Sequence, residues 1–287
     1  MNNPSPIVSV ENLNVTMSGP LGELSVVRKV GLELHRGETL GIVGESGSGK
    51  SVTALALMRL LPRNATVKAD CARLDGTELT ALSERQMADI RGPKIAMIFQ
   101  DPMTALNPVL TIGRQLTETY LRHRRATLAE ARDRAAALLD RVGVSRPKER
   151  LDVYPHQLSG GLCQRVVIAM ALICDPEVII ADEPTTALDV TVQAQVLDIL
   201  AGLQSERGLA MIFISHDIGV VARIAHRVQV MYAGETVETG AMADVLSRPS
   251  HRYTQALLSA VPRRGMRWDR DRLGTVTWSG DTNGGDA

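Results

Sequence analysis

Gly44-Glu45-Ser46-Gly47-Ser48-Gly49-Lys50-Ser51 follows directly on the apolar run Leu40-Gly41-Ile42-Val43 and precedes Val52 to Leu61, a helix-like stretch that Pro62 stops. The spacing is G-x-x-x-x-G-K-[ST] between a strand and a helix, the pattern of a phosphate-binding loop. Glycines let consecutive backbone N–H groups curl around phosphate oxygens without a Cβ clash. The helix N-terminus adds the positive end of its dipole. Lys50 is placed to bridge the β- and γ-phosphates of a nucleotide, and Ser51 to ligate Mg²⁺. The alternative, a glycine-rich turn with a chance lysine, is disfavoured by the flanking strand and helix.

Three further apolar runs lie downstream: Ile95-Ala96-Met97-Ile98-Phe99, Val178-Ile179-Ile180-Ala181 and Met211-Ile212-Phe213-Ile214. Continuous rather than alternating hydrophobicity predicts strands buried on both faces, as in a parallel sheet covered by helices. The runs end respectively at Gln100, Asp182 and Ser215, and the first at Gly44. Ligands of open α/β sheets gather at the carboxyl ends of strands, so these four ends are expected on one edge. Asp182 closes its strand and can hold Mg²⁺ through water, while Glu183 is placed to polarise an attacking water. Two acids closing a strand are often only a solvated strand end; the phosphate loop upstream tips the reading towards a nucleotide site.

Between the second and third runs Leu128, Ala131, Ala135, Leu138, Leu139 and Val142 recur at helical spacing, with Arg132, Asp133, Arg134 and Asp140 on other faces. Residues 101–165 read as a helical subdomain inserted into the α/β core. Arg122, Arg124 and Arg125 precede that helix and read as a solvated face. Arg227 to Gly240 alternates around Ala233-Gly234-Glu235 and reads as a β-hairpin. The segment from about Pro262 is rich in Arg, Asp and Gly and is expected to fray. The domain is therefore drawn over 6–262, with 263–287 as a flexible tail.

Lys+Arg and Asp+Glu both number 32, and aromatic residues make up 3%. Neither a basic excess nor a supply of stacking platforms is present, which argues against a nucleic-acid partner. Cys71, Cys163 and Cys174 have no metal-ligand spacing and read as reduced thiols. The N-terminus carries no signal-peptide pattern, and no apolar run approaches the ~18 residues of a membrane span.

Leu158-Ser159-Gly160-Gly161-Leu162-Cys163-Gln164-Arg165, just ahead of Asp182-Glu183, resembles the signature sequence of ABC ATPases. Ser159 reads equally as the cap of a helix starting near Gly161, and a capped helix N-terminus is also an anion site. The other family landmarks follow in order. Gln100 matches the Q-loop, Thr186-Ala187-Leu188-Asp189 the D-loop, and His216 in Ile214-Ser215-His216-Asp217 the switch histidine. The resemblance runs over about residues 6 to 262. It implies a P-loop NTPase fold of the ABC type: a RecA-like core with an antiparallel β subdomain and an inserted helical subdomain. ABC ATPases commonly stack adenine on an aromatic residue upstream of the phosphate loop; here that region aligns Leu21 or Leu24.

The resemblance further implies the site roles. Lys50 and the backbone of Gly44, Glu45, Ser46, Gly47, Ser48, Gly49 and Ser51 would bind the phosphates of ATP. Ser51, Asp182 and Gln100 would arrange Mg²⁺ and water, Glu183 would act as general base, and His216 would contact the γ-phosphate. Ser159, Gly160 and Gly161 would reach the γ-phosphate of ATP held by a second ATPase chain, identical or paralogous, and Asp189 of the D-loop would count among the nucleotide-binding residues.

Finer detail resembles the ATPase subunits of bacterial dipeptide, oligopeptide and nickel importers. The segments are Phe99 to Pro108, Tyr154-Pro155-His156-Gln157, Ala181 to Thr191, and His251-Arg252-Tyr253-Thr254-Gln255-Ala256-Leu257-Leu258, where Arg252 replaces the proline of that group's His-Pro-Tyr-Thr element. Peptide-type members often continue into a cysteine-rich tail that can hold an iron–sulfur cluster; no cysteine follows Cys174, so none is expected. The implied setting is the cytoplasmic face of a bacterial inner membrane. There the chain would be peripheral beneath two integral-membrane permease subunits, with a periplasmic solute-binding protein acting indirectly. Peptide import is the favoured reading over import of nickel or another small solute, with an exporter or a soluble ABC ATPase further behind.

Overall fold

The structure is a computed structural model that describes residues 5–20, 22–186 and 188–260. The N-terminal part alternates between two sheets: β1 (Val8–Gly19), β2 (Gly22–Leu34), β3 (Thr39–Val43), α1 (Lys50–Leu57), β4 (Ala65–Lys68), β5 (Cys71–Leu74), β6 (Thr77–Glu78), α2 (Glu84–Ile90) and β7 (Ile95–Ile98). A run of helices follows: α3 (Pro102–Ala105), α4 (Ile112–His123), α5 (Leu128–Arg141), α6 (Pro147–Arg150) and α7 (Gly160–Leu172). The chain then returns through β8 (Val178–Asp182), α8 (Val190–Arg207), β9 (Ala210–Ser215), α9 (Ile218–Val221), β10 (Arg227–Tyr232), β11 (Glu235–Ala241), α10 (Met242–Ser247) and α11 (Arg252–Ser259).

The four apolar runs become neighbouring strands of one sheet, in the order β11-β10-β3-β9-β8-β7. All pairings in it are parallel except β10 with β11, the hairpin expected at Arg227 to Gly240. Both faces are buried, which is why the runs lack alternation. Val178 and Ile180 of β8 and Ala210, Ile212 and Ile214 of β9 pack towards the second sheet. Ile179, Ala181, Met211 and Phe213 point the other way, into the helices. That second sheet is antiparallel, ordered β2-β1-β5-β6 with β4 also on β1.

Two helical expectations needed correction. The helix after the phosphate loop begins at Lys50 and ends at Leu57, short of Leu61. Arg59 turns left-handed at φ 51°. The N–H of Leu60 donates to Leu55 O at 2.9 Å and that of Arg59 to Ala56 O at 3.0 Å, a Schellman closure that satisfies the last carbonyls before Pro62 is reached. In α5 the apolar stripe is buried from Ala131 to Val142, but Leu128 is 60% exposed. It is the first residue of the helix, between the two members of the Thr127–Glu130 capping box. Arg122, Arg124 and Arg125 are exposed, as expected of a solvated face, and Arg124 Nη2 in addition donates to Cys174 O at 2.8 Å just past the end of α7. Cys71, Cys163 and Cys174 are buried free thiols, and burial pushes Cys174 up to about 11. The tail drawn at 263–287 lies outside the described residues, as does the end of the 6–262 domain.

Candidate functional site

Parallel strands lie about 4.8 Å apart, so residues just past the ends of β3, β9, β8 and β7 form one row although the sequence scatters them. Gly44 follows β3, His216 follows β9, Asp182 closes β8 with Glu183 next to it, and Gln100 lies two residues past β7. The expected convergence on one edge is observed.

The phosphate loop turns at Gly44, where φ is 157° and a Cβ would come within 2.1 Å of Met231 O. Gly49, at φ 98°, N-caps α1, and a Cβ there would be 3.0 Å from Val26 O. Only glycine fits either position. Lys50 is 4% exposed. Its ammonium donates to Gly44 O and Glu45 O, both at 2.8 Å, and more weakly to Ser48 Oγ at 3.5 Å. Burial lowers its pKa, opposed by the charges of Glu183, Asp182 and Glu45. The ammonium is thus held on loop carbonyls that an incoming phosphate could replace.

Ser51 Oγ donates to Asp182 Oδ1 at 2.8 Å. Asp182 is 6% exposed, and burial raises its pKa; the Ser51 hydroxyl and Lys50 pull the other way, while Glu183 adds to the rise. Glu183 has a left-handed backbone, φ 45°, unusual for a residue with a side chain. Its N–H donates to Ile214 O at 3.0 Å. Three groups converge on one of its carboxylate oxygens, Oε2: Gln100 Nε2 at 3.1 Å, Thr186 Oγ1 at 2.8 Å and His216 Nδ1 at 3.2 Å. The Glu183 side chain is 11% exposed against 56% for His216, so the acid is seated and the histidine stands at the solvent side.

The Ser159-Gly160-Gly161 segment opens α7. Ser159 Oγ accepts the N–H of Leu162 at 3.4 Å, the expected cap, and both Ser159 and Gly160 are exposed. Asp189 is likewise a cap, accepting the N–H of Val192 at 2.9 Å at the start of α8. Leu24 is 67% exposed near the start of β2, and Leu21 lies outside the described residues. Sequence reasoning missed two contacts. Thr186 touches Glu183 through a tight turn, its N–H donating to Glu183 O at 3.1 Å, and the three-residue spacing was the available signal. Tyr253 reaches the phosphate loop from α11, which no local pattern announces.

This arrangement, a phosphate loop beside a carboxylate held by glutamine, threonine and histidine at parallel strand ends, is that of a nucleotide-hydrolysing cassette. Residues 27–186 match the ABC transporter family, and residues 237–282 match the C-terminal region of oligopeptide/dipeptide transporters. The chain belongs to the ABC transporter family, as an ATP-binding and ATP-hydrolysing cassette. It is 51% identical over 258 residues to the dipeptide transport ATP-binding protein DppD of Bacillus subtilis, a match covering 90% of this chain and 77% of that protein. It is 53% identical over 265 residues to the glutathione import ATP-binding protein GsiA of Shigella dysenteriae, covering 90% of this chain but 42% of that longer relative. Among solved structures, the dimeric post-hydrolysis state of the ATP-binding cassette MJ0796 bound to ADP and Pi superposes with a TM-score of 0.72 at 28% identity, covering 82% of this chain and 98% of that one.

Proposed function

We propose that this chain powers the import of dipeptides or oligopeptides by hydrolysing ATP with Mg²⁺ at the row of strand ends. The observation that carries the hydrolytic part is the convergence of Gln100, Thr186 and His216 on Glu183 Oε2. A carboxylate held by three donors at the mouth of a phosphate loop is oriented to take a proton from an attacking water. Lys50 exchanges its carbonyl partners for β- and γ-phosphate oxygens, and the Gly44–Ser51 backbone supplies further donors. His216 approaches the γ-phosphate from the solvent side.

The donor set suits Mg²⁺. Ser51 and Asp182 offer hard oxygens 2.8 Å apart, with the Asp182 carboxyl already withdrawn from solvent. Among the described residues no cluster of three or more His, Cys, Asp or Glu could hold a metal by itself. That fits an ion which keeps waters and shares its shell with substrate phosphates. When bound, Mg²⁺ would neutralise charge developing on the phosphate oxygens. Gln100 is the side chain able to reach that ion or its water from β7.

Ser159, Gly160 and Gly161 would serve the ATP of a second cassette, identical or paralogous, with Asp189 near the same face. None of the described helices is long and apolar enough to cross a membrane. The proposed attachment is therefore peripheral, at the cytoplasmic face of an inner membrane under two permease subunits, fed by a periplasmic solute-binding protein. The match of residues 237–282 to the peptide-transporter C-terminal region, together with the peptide-transporting relatives, supports peptides as the solute. Uptake of labelled di- to pentapeptides by source cells, compared with a chromosomal Glu183→Gln variant, tests this. Loss of uptake in the variant is expected. Unchanged uptake, with no redundant importer active, sinks the peptide reading.

A further inference from the structure

The Gly44–Glu45 peptide is held at both of its polar ends. Its carbonyl, Gly44 O, accepts Lys50 Nζ at 2.8 Å, while its N–H, on Glu45, donates to the hydroxyl of Tyr253 at 2.9 Å. A peptide unit is planar, so fixing one end sets the direction of the other. Tyr253 is fully buried and comes from α11, 208 positions further along the chain.

The tyrosine is itself held firmly. Its ring packs on Tyr232 with centroids 4.5 Å apart and planes tilted by 44°. Its N–H donates to His251 Nδ1 at 3.1 Å, in the cap of α11. The turn before that helix is tied to β11 by Glu238, which accepts the N–H groups of Ser250 at 2.8 Å and His251 at 3.0 Å. Burial pushes the phenol pKa up, so it stays a neutral hydroxyl at ordinary pH. The β10–β11 turn adds a second brace, with Gly234 N–H donating to Ser48 O at 3.1 Å.

We infer that Tyr253 is a positioning residue for ATP binding: its hydroxyl sets the Gly44–Glu45 peptide, and through it the carbonyl on which Lys50 waits. The inference rests on the reading of this loop as the ATP phosphate site. Removing the hydroxyl leaves the Glu45 N–H without its acceptor and the peptide held only through the Gly44 carbonyl on Lys50. The hydrogen bonds of Tyr253 run to Glu45 and His251, and the three donors on Glu183 come from other residues, so the effect falls on nucleotide binding rather than on the hydrolytic step. It also makes the peptide-transporter C-terminal region a contributor to the phosphate site.

The test is Tyr253→Phe in the full chain, which keeps the ring and its packing on Tyr232. ATP affinity by titration and KM for ATP are expected to weaken roughly five- to tenfold, as for loss of one buried hydrogen bond, with kcat within about twofold. Glu238→Ala, which loosens the anchor of α11, is expected to raise KM in the same direction. Unchanged affinity and KM in Tyr253→Phe overturn the proposal, whatever happens to the melting temperature, as does a lower kcat at unchanged KM. Lys50→Ala in the same titration separates the two readings. If Lys50→Ala weakens ATP binding and Tyr253→Phe does not, only the role of Tyr253 falls. If Lys50→Ala itself binds ATP normally, the site reading falls with it.

Discussion

Two helix N-termini in this chain carry glycine-rich segments, and their surroundings differ. The base of the loop before α1 is enclosed, although its tip from Glu45 to Gly47 is exposed: Lys50 and Ser48 are 4% and 3% exposed, and the β2 strand, the β10–β11 turn and Tyr253 all press on it. The segment before α7 is open. Ser159 uses its hydroxyl on its own helix, and a Cβ on Gly160 would meet nothing within 4 Å. An anion at the first site would be received by groups the chain has already oriented. At the second, the helix N-terminus stands on an exposed surface, and the proposed second cassette would have to close over it to make a site.

The largest effect is expected on the enclosed side. Glu183→Gln should lower turnover by roughly 10²–10⁴ while ATP still binds, because it removes the proposed base and leaves the phosphate loop intact. Steady-state hydrolysis with a parallel binding titration checks this, and near-normal hydrolysis removes Glu183 from that role. Lys50→Ala should weaken ATP roughly tenfold to a hundredfold, the scale of a lost charge-assisted contact to phosphate.

On the open side, Gly160→Trp should leave the melting temperature and ATP affinity nearly unchanged, as expected of an exposed substitution. It should nevertheless cut turnover about tenfold by obstructing a partner surface. Full turnover in that variant would mean that the segment needs no partner.

The smallest effect is thermal and comes from Asp182. Its pKa is raised above the unfolded value, so the folded state binds the proton more readily. Ionising it costs stability as pH rises past the unfolded value of 3.8, and the cost is complete above the folded pKa. Near neutral pH, Asp182→Asn should therefore melt no lower than the parent in the absence of nucleotide, although its Mg²⁺-dependent hydrolysis is lost. A clear drop in melting temperature would mean that the buried charge is stabilised more than it is desolvated.

What the sequence disclosed follows the same division. The phosphate loop, the four strands and the gathering of Gln100, Asp182, Glu183 and His216 at their ends were legible because buried parallel strands leave continuous apolar runs that end where an open sheet gathers its ligands. The end of α1 was misplaced because Pro62 looked like the stop. The actual closure uses Arg59 in a left-handed conformation, which a non-glycine residue does not advertise. Leu128 kept the apolar period yet stayed outside, since periodicity says nothing about where the neighbouring helix ends. The reach of Tyr253 to Glu45 was illegible for another reason: it depends on how β10, β11 and α11 pack, and nothing near either residue encodes it.

The central place of β3 also bears on how the protein is made. Its partners on both sides, β9 and β10, begin at Ala210 and Arg227, so the strand that launches the phosphate loop stays unpaired until the nascent chain has grown well beyond 200 residues. At ribosomal speeds of roughly 5–20 residues per second, that is a delay of about ten to thirty seconds. Through this interval an apolar, aggregation-prone segment has no sheet to join. Nucleotide affinity should consequently emerge late and abruptly during synthesis, once β9 and β10 have left the exit tunnel, rather than growing with chain length.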